Sequence, residues 1–190
     1  MIRKMKRIAM GIMAVIYLTF RPVCVYGKYT FTSISEKQEK SYWCWVATAR
    51  GIARGEVFVG KTQTDAVIAV KGENVNKGGT VQELESAAEY FAPGKNFSVR
   101  YRAFTFNEIV EAIEAGHLVG ANWGYYYGSV RNGGHSIFIV GYNSNNGQQT
   151  VIYCEPLTGE IVQKNYSDFV RGSEKNYNVR YEQSIYASYK

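Results

Sequence analysis

Histidine and cysteine are scarce in this chain: His117 and His135, with Cys24, Cys44 and Cys154, are the whole supply among 190 residues. Neither type recurs at ligand spacing, which excludes the common Cys/His metal centres. There is no Gly-rich phosphate loop, and no cofactor is implied. Basic residues form no run that would track a phosphate backbone, so nucleic-acid binding has no support. The formal charge is +6, but Arg3, Lys4, Lys6, Arg7 and Arg21 all fall within the first 27 residues, and the rest of the chain is close to neutral. Internal repeats and low-complexity tracts are absent too.

What is present begins with a basic start, Met-Ile-Arg-Lys-Met-Lys-Arg, followed by the uncharged apolar run Ile8 to Phe20. That run is too short for a comfortable bilayer span, and Pro22 follows it, so the segment reads as a signal peptide rather than an anchor. Val25-Tyr26-Gly27 supplies small residues at the cleavage end. We therefore expect cleavage after Gly27, a secreted product, and one domain over residues 28–190, acting as a monomer. Cys24 leaves with the signal.

Beyond a polar lead from Lys28 to Lys40, Tyr42 to Gly55 carries Trp45, Ala49, Ile52 and Ala53 at helical spacing. Helices are also expected at Gln63–Val70, ended by Gly72, and at Val81–Phe91, started by Thr80. Phe97–Tyr101 alternates like a strand, and Thr105 with Glu108 forms a capping box that opens a helix reaching to Gly116. The character then changes. Leu118–Trp123, Ser136–Tyr142, Gln149–Glu155 and Glu160–Tyr166 are short β-branched or aromatic runs between Gly- and Asn-rich turns, and Val179–Tyr189 adds a last one. Helices first and antiparallel sheet second imply an α+β fold of two packed halves with a cleft between them.

Cys44 falls at the expected start of the first helix, where unpaired N–H groups and the helix dipole favour a thiolate. Taken alone it also fits a buried, inert thiol beside Trp43 and Trp45. Asn132-Gly133-Gly134-His135 reads as a turn opening into the apolar strand Ser136–Tyr142, with the imidazole at its mouth. His117, between Gly116 and Leu118, has no such context and reads as structural.

The string Gln38-Glu39-Lys40-Ser41-Tyr42-Trp43-Cys44-Trp45-Val46-Ala47 resembles the active-site cysteine segment of papain-like cysteine peptidases, and the His135 strand is similar to that family's histidine strand. The resemblance implies a Cys44 nucleophile, a His135 base and an oxyanion hole made by the Cys44 backbone N–H and the Gln38 amide. It places an orienting group near the end of Val151-Ile152-Tyr153-Cys154. Short bacterial members have an acidic residue before proline there, which assigns Glu155, one methylene longer than the commoner Asp or Asn. Cys154, facing the opposite side of its strand, is expected to be a core thiol unbridged to Cys44. Tyr125, Tyr126 and Tyr127, on a loop from Trp123 to Arg131, are candidates to line an apolar subsite. The implied activity is hydrolysis of protein or peptide substrates through a thioester. The same three groups would also serve a peptidoglycan amidase or endopeptidase or an acyltransferase, and a catalytically silent binding protein would keep the fold.

Overall fold

The computed structural model describes residues 28–31, 33–174 and 176–188; the expected signal peptide lies outside them. Three helices begin with the same local chemistry. In α2 (Gln63–Lys71), α3 (Val81–Phe91) and α4 (Phe106–Glu114), a threonine accepts from the backbone N–H three residues on, and the acid there, Asp65, Glu83 or Glu108, reaches back to the threonine's N–H. Each box satisfies two donors that a helix start would leave open. Helix α1 (Cys44–Arg54) departs from this pattern: its cap is Trp43, with no side-chain hydrogen bond and no acid in the first turn.

Helices α1 to α3 form the N-terminal half. The C-terminal half is an antiparallel sheet in the order β2 (Asn96–Arg100), β8 (Tyr177–Ser188), β3 (Val119–Tyr127), β4 (Val130–Asn143), β5 (Thr150–Glu155), β6 (Glu160–Asn165). Short β1 (Lys28–Thr30) pairs with Gly141 to Asn143 of β4, and β7 (Arg171–Glu174) pairs with β8. This is the α+β architecture expected, with helices packed on the sheet. The one-turn helix α5 (Tyr166–Val170), which buries Phe169, and strand β1 were not foreseen.

Helix α1 runs through the seam between the halves. Trp45, Val46, Ala49, Ile52 and Ala53 on it are all buried, and Trp43 before it is fully enclosed. Burying a large apolar side chain contributes about 3 kcal/mol, so the two tryptophans fix where the helix begins. Their ring N–H groups are spent on the loop before α3: Trp43 Nε1 donates to Val75 O at 2.9 Å and Trp45 Nε1 to Lys77 O at 3.1 Å.

Two expectations about the strands need correcting. Trp123 to Arg131 is not a loop; β3 and β4 form a hairpin that turns at residues 128 and 129. Asn132-Gly133-Gly134 is likewise not a turn but the interior of β4. Gly124 faces Gly134 and Tyr126 faces Arg131, so β4 carries one extra residue between those pairs, with Gly133 at φ 140°. A glycine pair reads as a turn in sequence, but a bulge uses the same freedom without leaving the ladder.

Candidate active site

Cys44 is the first residue of α1, and His135 stands on β4 in register with Trp123 of β3. Glu155 is the last residue of β5, the neighbouring strand. Helix packing on the sheet brings the three together. His135 Nε2 lies 2.6 Å from Glu155 Oε1, which also accepts the Leu157 N–H at 2.9 Å, and the ring's other nitrogen is the one left for the Cys44 thiol. Tyr125 lies parallel to the imidazole with ring centres 6.4 Å apart.

The electrostatics follow from this contact. Burial alone would raise the Cys44 thiol, but the hydrogen bond and positive charge of His135, with the N–H groups of Ser136 and Trp45, outweigh it and hold the thiol below its ordinary value. Burial alone would lower His135. The hydrogen bonds and negative charges of Cys44 and Glu155 overcome it and push the imidazole up to about 10. Both shifts favour the pair as a thiolate beside an imidazolium, the reactive form of such a thiol.

Gln38 takes a different place from the other three. Its N–H is bound to Pro156 O at 2.7 Å, which ties its segment to the turn after Glu155. Its side-chain Nε2 donates to Lys40 O at 2.8 Å and Ser41 O at 2.9 Å, while its Oε1 is buried without a hydrogen-bond partner. Gln38 is not among the residues that line the cleft.

That cleft, of about 490 Å³, opens at Cys44 and His135. One wall is Gly78 to Gln82 with Tyr101, the other Asn122, Trp123, Arg131, Ser136, Glu182 and Gln183. Gly79 belongs there for a steric reason, because a Cβ would stand 2.4 Å from the Trp45 ring. The tryptophans flanking the nucleophile thus position the cleft's opposite wall, a link that a Gly-Gly pair just before a helix cap could have suggested. Of the three tyrosines expected at the cleft, Tyr125 lies against the His135 ring, Tyr126 is turned to Glu182 and Tyr127 is 72% exposed, while Trp123 takes a place in the lining. Glu182 and Gln183 were missed. β8 has one extra residue there, since Asn122 faces Gln183 while Trp123 faces Tyr181, and no side-chain pattern announces that bulge.

The other histidine and cysteine lie apart from this site. His117 Nδ1 is 2.6 Å from Glu56 Oε1, and Lys95 also pairs with Glu56. Cys154 is a buried free thiol whose Sγ meets the backbone of Glu36, and burial raises it above its ordinary value. Among the described residues no group of three or more His, Cys, Asp or Glu could hold a metal ion. No helix among them is long and apolar enough to cross a membrane.

A helical half carrying a cysteine at a helix start, facing a histidine on an antiparallel sheet, defines a papain-like cysteine peptidase. The chain belongs to the Peptidase C39 like family, whose model matches residues 32–185. Among solved structures it is similar to digestive procathepsin L 3 of the Tenebrio molitor larval midgut. That match has 13% identity and a TM-score of 0.53, and covers 85% of this chain and 69% of the other. No curated protein matches it in sequence.

Proposed function

We propose that this chain is an exported peptidase that cleaves peptide bonds with Cys44 as nucleophile, His135 as base and acid, and Glu155 as the group that orients the imidazole. The observation that carries this reading is the His135 ring, bound to Glu155 through Nε2 and to the Cys44 thiol at the uncapped start of α1.

In the first half-reaction the Cys44 thiolate attacks the scissile carbonyl carbon, and the carbonyl electrons move onto oxygen. The Cys44 N–H is one donor for that oxyanion. The Gln38 amide is the second, provided it exchanges the Lys40 or Ser41 carbonyl for the substrate oxygen. Each such donor accelerates acyl transfer by about 10²-fold or more. Collapse of the tetrahedral species breaks the C–N bond, His135 gives its proton to the departing amine, and a thioester remains. In the second half-reaction His135 removes a proton from water, whose oxygen attacks the thioester; the acid product leaves and the thiolate is restored. Glu155 holds the ring throughout by accepting a hydrogen bond from the Nε2–H.

Export rests on the basic, apolar start of the chain. With cleavage after Gly27, the first residue of β1 becomes the new N-terminus, and terminal sequencing of protein from the culture medium should begin at Lys28.

The central test is labelling with an active-site-directed cysteine epoxide, run beside the Cys44→Ala variant and followed by cleavage of a peptide library. Labelling that depends on Cys44, with cleavage, is the expected result. Labelling without cleavage of any peptide would move the chemistry to another acyl bond, and absence of labelling would make the fold a binding module.

A further inference from the structure

The cleft's wall on β3, β4 and β8 contains a short hydrogen-bond relay. Ser136 Oγ donates to Asn122 Oδ1 at 2.7 Å, and Asn122 Nδ2 donates to Gln183 Oε1 at 3.2 Å. An amide whose oxygen is fixed in this way has its nitrogen fixed too. Gln183 Nε2, with two hydrogens, has no acceptor among the described residues, and Gln183 lines the cleft that contains Cys44. The β8 bulge puts neighbouring Glu182 on the same wall. Its carboxylate is engaged by Tyr126 and, at 3.0 Å, by Arg131, so the acid and base that line the cleft neutralise each other. Much of the remaining lining is polar and uncharged: Thr80, Gln82, Tyr101 and Asn122.

Resting on the peptidase reading, we propose that Gln183 is a specificity-determining residue, whose side-chain amide selects a substrate carrying a carboxamide side chain, glutamine or asparagine, close to the scissile bond. The complementarity is of kind as well as polarity. A carboxamide oxygen accepts from Gln183 Nε2, and its NH₂ finds a free lone pair on Glu182, whose oxygens can each accept more than one hydrogen bond. A carboxylate gains no net positive field here and stands near Glu182, a lysine meets the donor face of Gln183, and an aliphatic side chain leaves that face without its water or a replacement.

The test is a positional peptide library, cleaved by the full chain and by Gln183→Leu, Gln183→Glu and Asn122→Asp, with the epoxide-labelling rate of Cys44 confirming that each variant is folded. The wild type is expected to favour glutamine or asparagine over leucine at one position by about tenfold in kcat/KM, the scale of one hydrogen bond. Gln183→Leu should erase that ratio. Gln183→Glu, its second carboxylate oxygen now facing the cleft, should transfer the preference to lysine or arginine. Asn122→Asp can only accept, so it should turn the Gln183 amide over and lower the ratio with Gln183 itself intact. A wild type that cleaves with no carboxamide preference, or a Gln183→Leu variant that keeps it, overturns this proposal alone. A wild type that labels at Cys44 but cleaves no peptide overturns the peptidase reading, and the proposal with it.

Discussion

Helices α2, α3 and α4 begin alike, and α1 begins differently. The three carry a threonine cap with an acid three residues on, whereas α1 opens at Cys44 with neither. Side-chain caps are worth about 1 kcal/mol each, so α1 forgoes stability that its neighbours have. What it retains is a set of uncommitted N–H groups and the positive end of a helix dipole, and the anion placed there is the Cys44 thiolate. In three helices the N-terminus is spent on holding the fold. In the fourth it is held in reserve for chemistry.

The sharpest way to break this contrast is to remove the residue at each start. Cys44→Ala should lower kcat by on the order of a million-fold, as loss of a nucleophile does, with a melting temperature no lower than that of the wild type. A variant that unfolded would make Cys44 structural instead.

The two histidine–glutamate pairs extend the comparison, since both have a nitrogen 2.6 Å from a carboxylate oxygen. Glu155→Gln should reduce kcat/KM by about 10²- to 10⁴-fold by releasing the tautomer and orientation of His135. Glu56→Gln should leave activity intact while costing about 1–3 kcal/mol, because a buried carboxylate paired with His117 and Lys95 is lost. Kinetics and thermal melting on the same two proteins separate the roles, and equal effects on both readouts would dissolve the distinction.

The two thiols offer a smaller effect with a definite sign. Cys44 is held below the ordinary thiol value and His135 is pushed up to about 10, so the thiolate forms at lower pH than that of a free thiol and stays paired until the imidazolium loses its proton near pH 10. Iodoacetamide should therefore alkylate Cys44 faster than a free cysteine at pH 7, and more slowly as acid protonates the thiolate. Cys154, raised by burial, should react only after unfolding. Peptide mass mapping against pH reads both, and a Cys44 rate that climbed only above pH 8 would remove the activated thiol. The smallest expected change lies at the capped starts, where Thr105→Ala should cost about 1 kcal/mol in denaturant melts and leave turnover untouched.

The Thr105–Glu108 capping box was legible because it is written in four consecutive residues and needs no distant partner, whereas Thr80 reads only as a helix start and the Thr62–Asp65 box goes unread. The helical first half followed from apolar spacing, glycine stops and threonine starts, and the antiparallel second half from the change in residue type after Gly116. Cys44 and Glu155 sit at element ends beside tryptophan and proline, and His135 follows a glycine pair inside β4, but the three could be named together only through the resemblance to the papain-like segments. The rest depended on register. Glu182 and Gln183 reach the cleft together only because β8 gains a residue opposite β3, and alternation in sequence would have put them on opposite faces. The occupation of the Gln38 amide by two nearby carbonyls depends on a loop conformation that spacing alone does not fix.

Gly51 lies two turns after Cys44 on α1, and a Cβ there would stand 2.5 Å from the ring of Phe138, three residues along β4 from His135. By helix propensity alanine is the better residue at that point, by about 1 kcal/mol. Helix propensity taken alone would therefore judge it by the wrong criterion. The missing methyl group acts as a spacer gauge between helix and strand, so the distance from sulfur to imidazole is partly set two turns away, by an atom that is not there.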